Sequence, residues 1–111
     1  RLAADQGYAH AQYNLGLMYE CGRGVEQSDA KAVTYFKLAA DQGNALARFN
    51  IGAMSAEGRG VEQSDAKAVT YFKLAADQGN ALAQCNLGVM YDQGRGVEQS
   101  DAKAFKYYKL A

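Results

Sequence analysis

The sequence predicts an all-α protein, a solenoid of about three 36-residue helix–turn–helix repeats. The sequence aligns with itself when it is shifted by 36 positions: residues 22–47 and 58–83 are identical over 26 positions. Glycines recur at matching places in each unit, and proline is absent from the 111 residues. Between the glycines, apolar residues recur three and four positions apart, which is the spacing of one helix face.

The repeats are assigned to residues 8–43, 44–79 and 80–111, the last of them shortened, within one array that spans 1–111. Residues 2–7 repeat residues 38–43 at the end of the first unit, so residues 1–7 are interpreted as the tail of a preceding repeat. Solenoids need terminal repeats with a polar outer face. We therefore expect the chain to be part of a longer array, or its ends to stack on another copy or subunit.

The first helix of each unit, helix A, is predicted in the second unit over residues 44–57. Asn44 is a suitable N-cap, since its side-chain oxygen can accept from the free amides of the first turn. Phe49, Gly52 and other small or apolar residues follow at helical spacing. Gly58 is expected to end the helix in the left-handed conformation.

The second helix, helix B, follows the loop 58–63, is capped by Ser64 or Asp65 and extends to about Asp77. Gly79 ends it, and the next residue caps the following helix A. A junction this short is compatible only with antiparallel neighbouring helices.

A glycine stands at the centre of every helix A, although glycine costs about 1 kcal/mol relative to alanine there. We interpret it as a packing device that lets two helix backbones approach closely beside a small residue of helix B. The glycines are Gly16, Gly52 and Gly88, and the helix B residues are Ala32, Ala68 and Ala104. The Tyr and Met positions of the repeat, Tyr19, Met18, Tyr35 and their copies, are predicted to be core.

Composition excludes several classes of protein. Twelve basic and twelve acidic residues balance, which argues against a nucleic-acid binder. No apolar run approaches the roughly 20 residues that span a bilayer, so direct membrane insertion is not expected. Cys21 and Cys85 are too far apart in the repeat pattern for a disulfide and fit a reducing intracellular compartment. With His10 as the only histidine, neither a metal site nor a cofactor motif is present.

The repeat resembles the Sel1-like repeat, a relative of the tetratricopeptide repeat. The resemblance rests on AQYNLG at 11–16, QCNLG at 84–88, the Gly-Arg-Gly-Val loop at 22–25 and Lys-Ala at 31–32. The second unit departs from the pattern, notably with Ser55 in place of tyrosine, which could loosen the middle of the stack. The resemblance implies a right-handed superhelix with helix A on its concave side, and an adaptor or scaffold role.

Helix A carries all nine differences between the first two units, whereas the loop and helix B are constant. A constant frame is expected where each copy must fit the next, and variation is what a ligand-facing surface needs. Block duplication of residues 22–47 would explain the same pattern without a function. If the tetratricopeptide alignment holds, the partner-binding residues are His10, Tyr13, Asn14, Leu17, Glu20, Leu46, Phe49, Asn50, Ala53, Glu57, Leu82, Cys85, Asn86, Val89 and Asp92.

Two further sets recur once per repeat. Asn14, Asn50 and Asn86 match an asparagine that, in tetratricopeptide proteins, can hydrogen-bond a bound peptide backbone; a bond between repeats or to a loop carbonyl is the alternative. A candidate anion-reading ladder of guanidinium groups runs along the loops, and its alternative is solvation or pairing with a nearby aspartate or helix end. The ladder is Arg23, Arg59 and Arg95.

No grouping of ionisable residues supports catalysis, so the sequence predicts no enzyme but a module that binds a protein or peptide. Two alternatives remain open. The array could be a structural subunit or spacer in a larger assembly, or a repeat segment attached to an enzyme domain elsewhere.

Overall fold

The computed structural model describes residues 2–111, with side chains from Tyr8 onward, and this part of the chain is entirely helical apart from turns and loops. Each odd-numbered helix is a helix A and each even-numbered one a helix B. The helices are α1 (Leu2–Cys21), α2 (Asp29–Asp41), α3 (Ala45–Glu57), α4 (Asp65–Asp77), α5 (Ala81–Gln93) and α6 (Asp101–Leu110).

The helices stack in chain order. Each packs most extensively on its partner within the repeat, and each helix B then packs on the next helix A. Contacts restricted to neighbours are the defining property of a solenoid. The body measures 42 × 31 × 18 Å. The predicted all-α solenoid is confirmed.

The predicted helix ends are confirmed in the second repeat. The Asn44 side chain accepts from the Ala47 amide at 2.8 Å, and Ser64 rather than the following aspartate caps α4. Gly58 ends α3 with φ of +68°, in the left-handed region that glycine tolerates. The short polar caps satisfy amides that would otherwise lack partners.

The first junction differs from the later ones. Residues 42–44 and 78–80 break the helix, but α1 continues without a break from Leu2 through Tyr8 to Cys21. Tyr8 stands where the other repeats have asparagine, and a tyrosine cannot accept from its own first-turn amides as an N-cap does. The assignment of residues 1–7 to a preceding repeat stays a prediction.

The central glycines make room mainly for a ring, not for backbone. A Cβ added at Gly52 would lie 2.7 Å from Cε1 of Phe72 and 3.3 Å from the carbonyl oxygen of Ala68. At Gly16 and Gly88 the nearest atoms all belong to the rings of Phe36 and Tyr108. The packing role is therefore as predicted, but the group that fills the space is an aromatic side chain of helix B.

Each of the two core clusters spans the boundary between two repeats. One cluster joins α2 to α3 around Phe36 and Ile51, and the other joins α4 to α5 around Phe72 and Leu87. Met54 and Met90 are buried as predicted for the Met positions, whereas their counterpart Met18 is 37% exposed. The reason is that α3 and α5 each pack on a preceding helix B, and no described helix covers that side of α1.

Candidate functional site

The predicted partner-binding residues lie on α1, α3 and α5, and each is at least partly accessible to solvent. We call these residues the helix-A face. Most of the residues of this face are half-exposed. The exposed ones are His10, Asn14, Leu46, Glu57, Leu82, Cys85 and Asp92. The face is accessible along all three repeats, and its binding role stays a prediction.

The central position of the face also packs inward. Tyr13 rests on Phe36 with ring centroids 5.7 Å apart, and Phe49 rests on Phe72 at 5.8 Å, both tilted by about 40°. In the third repeat Cys85 occupies this position, and Tyr108 replaces the phenylalanine beneath it. This position of the face is thus aromatic in the first two repeats and carries a thiol in the third.

A depression of about 220 Å³ opens on the face between α3 and α5. Its apolar lining includes Ala53, Val89 and Met90, and the Asn86 amide and the Glu57 carboxylate border it. Four of these five belong to the predicted partner-binding set, and the structure brings them together from two repeats. Arg95, predicted as part of the ladder, also lines the depression.

Between α1 and α3, the face is organised around Tyr13. Burial raises the pKa of the Tyr13 phenol and the negative charge of Glu20 raises it further, whereas the Asn50 side chain close to the hydroxyl lowers it. Asn50 therefore lies close to the preceding repeat, and the role of the three asparagines stays a prediction. Asn14 is exposed, and Asn86 borders the depression.

Two of the three ladder arginines pair with carboxylates. Arg59 donates to Glu20 at 3.0 Å, to Asp29 at 3.3 Å and to Glu57 at 3.3 Å. Arg95 donates to Asp65 at 3.0 Å. For these two residues the structure shows the predicted alternative, pairing with a nearby aspartate. The pairs with Glu20, Asp29 and Asp65 connect the two loops to the preceding repeat.

Arg59 is held beside its partners because the backbone at Gly60 lies close to the backbone at Asp29. Gly60 has φ of +72°, and a Cβ added there would lie 2.5 Å from the carbonyl oxygen of Asp29. Only glycine fits at this contact. Hydrogen bonding to Asp29 makes the largest contribution to the raised pKa of Arg59. Among the described side chains, Arg23 has no such ion pair, and anion binding by it stays a prediction.

The remaining candidates show no reactive arrangement. Cys21 and Cys85 are free thiols and are exposed. Within the described part of the chain, no three His, Cys, Asp or Glu side chains are grouped so that they could hold a metal ion. None of the described helices is both long and apolar enough to cross a lipid bilayer.

A larger cavity of about 530 Å³ lies outside the predicted face. It opens between α2 and α4, and Ser55 of α3 is part of its lining together with Lys37, Lys67 and Tyr71. Sequence reasoning assigned helix B to the constant frame and missed it. One sequence feature could have indicated this cavity: the second unit has Ser55 where the other two units have tyrosine.

The chain matches the Sel1 repeat family over residues 9–44, 45–80 and 81–111. Among solved structures it is similar to a protective antigen of uropathogenic Escherichia coli strains that displays an SLR fold, with 42% identity and a TM-score of 0.92. This match covers 97% of the chain and 23% of the antigen. A Sel1 repeat protein from Oxalobacter formigenes is 38% identical with a TM-score of 0.88, over 97% of this chain and 44% of that one.

Cysteine-rich protein B of Helicobacter pylori shares the fold, with 20% identity, a TM-score of 0.75, and coverage of 98% of this chain and 84% of that one. The chain thus spans less than half the length of the antigen and of the Oxalobacter protein. No curated protein matches it. Three matched repeats account for nearly all of the sequence, and the chain therefore belongs to the Sel1 repeat family.

Proposed function

We propose that the chain is an adaptor or scaffold module that binds a segment of a partner protein on the helix-A face, the concave side of the solenoid. Sel1 repeat proteins are generally protein-interaction modules, and their solenoid fold is typically non-enzymatic. One observation carries the proposal. Three residues of helix A that differ between repeats, Ala53, Glu57 and Val89, come together from α3 and α5 around one accessible depression.

The size and lining of the depression favour a side chain over a small molecule. Small-molecule sites usually enclose about 300–1,000 Å³, and this depression holds about 220 Å³. Ala53, Val89 and Met90 offer an apolar floor for one aliphatic side chain. The Asn86 amide at its border can both donate and accept, which suits the backbone of an extended peptide.

A selection of peptides from a random library on the purified chain tests the proposal. The affinity of each selected peptide is then measured for variants of the chain. Ala53→Arg fills the depression and is expected to weaken peptide binding at least tenfold. Ala66→Arg adds the same charge at an exposed position of α4 and is the matched control, expected to bind as the parent does. Selected peptides that bind both variants equally well would place the binding surface elsewhere and contradict the proposal.

A further inference from the structure

The tyrosine that helix A contributes in the first and third repeats lies in a cage of helix B side chains. Tyr91 stacks on Tyr107 with centroids 5.6 Å apart and planes 4° from parallel. Tyr19 stacks on Tyr35 in the same way, at 5.5 Å and 6°. Two repeats therefore show the same preferred occupant of this space, a phenol ring laid flat on a helix B tyrosine.

Lysines complete the cage. In the third repeat, Lys103 from the same repeat and Lys73 from the preceding helix B lie 5.5 and 5.8 Å from the centroid of the Tyr91 ring. In the first repeat, Lys31 lies 5.6 Å from the centroid of Tyr19. These distances are within the range of cation–π attraction, which favours electron-rich rings.

The second repeat has the cage without the ring. Lys37, Lys67 and Tyr71 stand 36 positions before the three residues that surround Tyr91, and all three line the cavity of about 530 Å³. The residue at the position of the tyrosine is Ser55, whose short side chain is 3% exposed and cannot reach across the space. Everything that holds the ring in the third repeat is thus present in the second.

The backbone at this position is unchanged. The Ser55 carbonyl oxygen accepts from the Ser64 amide at 2.8 Å, and the Tyr91 carbonyl oxygen accepts from the Ser100 amide at 3.0 Å. The contact between helix A and its following loop is thus kept where serine replaces the ring. The cavity is consequently a site shaped by the repeat for a ring that this repeat does not supply.

We propose that this cavity binds the side chain of a tyrosine presented by a partner protein, with its ring stacked on Tyr71 between Lys37 and Lys67. The positive charges of the two lysines complement the negative face of the ring. Asp41 and Glu62 also line the cavity and offer carboxylate acceptors to the phenol hydroxyl. The volume is within the range of pockets that enclose a bound group.

The site is separate from the helix-A face. Arg48 and Ser55 are seven residues apart, about two helical turns, and lie on the side of α3 that borders the cavity. Phe49 and Ala53 lie on the other side of the same helix, toward the depression and Phe72. The chain therefore offers a partner two surfaces, one on each side of α3.

A titration with N-acetyl-tyrosinamide, followed by amide chemical shifts of the whole chain, tests the inference. We expect saturable shifts at Lys67 and Tyr71 in the parent chain. Ser55→Tyr supplies the missing ring from the chain itself, and we expect these shifts to disappear. This variant restores the residue of the other repeats on an unchanged backbone, so loss of folding is not an expected cause. Ala53→Arg should leave the titration unaltered, which separates this site from the helix-A face.

Tyr91→Ser provides the converse arm. It removes the ring from the third repeat, and we expect new shifts at Lys103 and Tyr107 on titration. Undiminished binding to the Ser55→Tyr chain would overturn the inference, whatever the result with Tyr91→Ser. Equal affinity for N-acetyl-leucinamide would also overturn it, because the cavity would then accept any apolar side chain.

Discussion

The second and third repeats have the same caps, the same loop and the same helix lengths up to the last helix, yet their helix B residues lie in different environments. Phe72 of α4 is 2% exposed, whereas Tyr108, its counterpart on α6, is 41% exposed. A second pair of equivalent residues in α4 and α6 differs more strongly, since Val69 is 5% exposed and Phe105 is 67% exposed. Burial in a solenoid is thus decided by the neighbouring repeat, because α5 covers α4 and no described helix covers α6 in that way.

The largest expected effect of this contrast is on stability. Phe72→Ala should lower the free energy of unfolding by about 3–5 kcal/mol, the usual cost of emptying a well-packed aromatic position. Tyr108→Ala should cost less than half as much, because its ring is already partly in water. Urea denaturation followed by circular dichroism measures both, and equal losses would show that the two helices are equally enclosed.

The central glycines sharpen the comparison. Gly52→Ala should destabilise the chain, since overpacking costs about 1–3 kcal/mol and the buried Phe72 ring has no room to retreat. Gly88→Ala meets only the ring of Tyr108, which can move toward solvent. There the helix-propensity gain of about 1 kcal/mol should offset the strain. Thermal melts of the two variants test this, and a larger loss at Gly88 would contradict it.

The smallest effect is expected at the ion pairs. Arg59→Ala removes contacts to three carboxylates and should cost up to about 1 kcal/mol, the upper range for partly exposed pairs. Arg95→Ala loses one aspartate and should cost roughly half as much. The difference between the two variants should shrink in 1 M salt, which screens exposed charges. A difference that persists at high salt would indicate packing by the Arg59 stem as its cause.

Much of the fold could be predicted from local signals. Asn44, Ser64 and Gly58 mark helix ends because capping depends on one side chain and the amides of the adjacent turn. The constant 36-residue period indicates that each repeat packs on the next in the same way. The sequence did not reveal that α1 continues through Tyr8. The three junctions between repeats look alike in sequence, and only the first lacks the asparagine cap on which the turn depends.

The candidate sites were less predictable. The sequence pattern identifies the residues of helix A that differ between repeats, and three of them, Ala53, Glu57 and Val89, border one depression. It assigned Arg59 and Arg95 to a ladder that could read anions, but pairing depends on which carboxylate the preceding repeat brings within reach. Asp29 and Asp65 are 30 positions away in sequence from their arginines and 3.0–3.3 Å away in space.

The sequence by itself determined the all-α class, the 36-residue period, the caps and the helix in which the repeats differ, since these follow from periodicity and from contacts within a few residues. The tertiary structure decided what each difference means. The replacement of tyrosine by Ser55 is a single departure from the pattern in the sequence, but in the structure it leaves a cavity walled by two lysines and a tyrosine. That consequence depends on side chains from α2 and α4 meeting over α3, which only the stacking of whole repeats brings about.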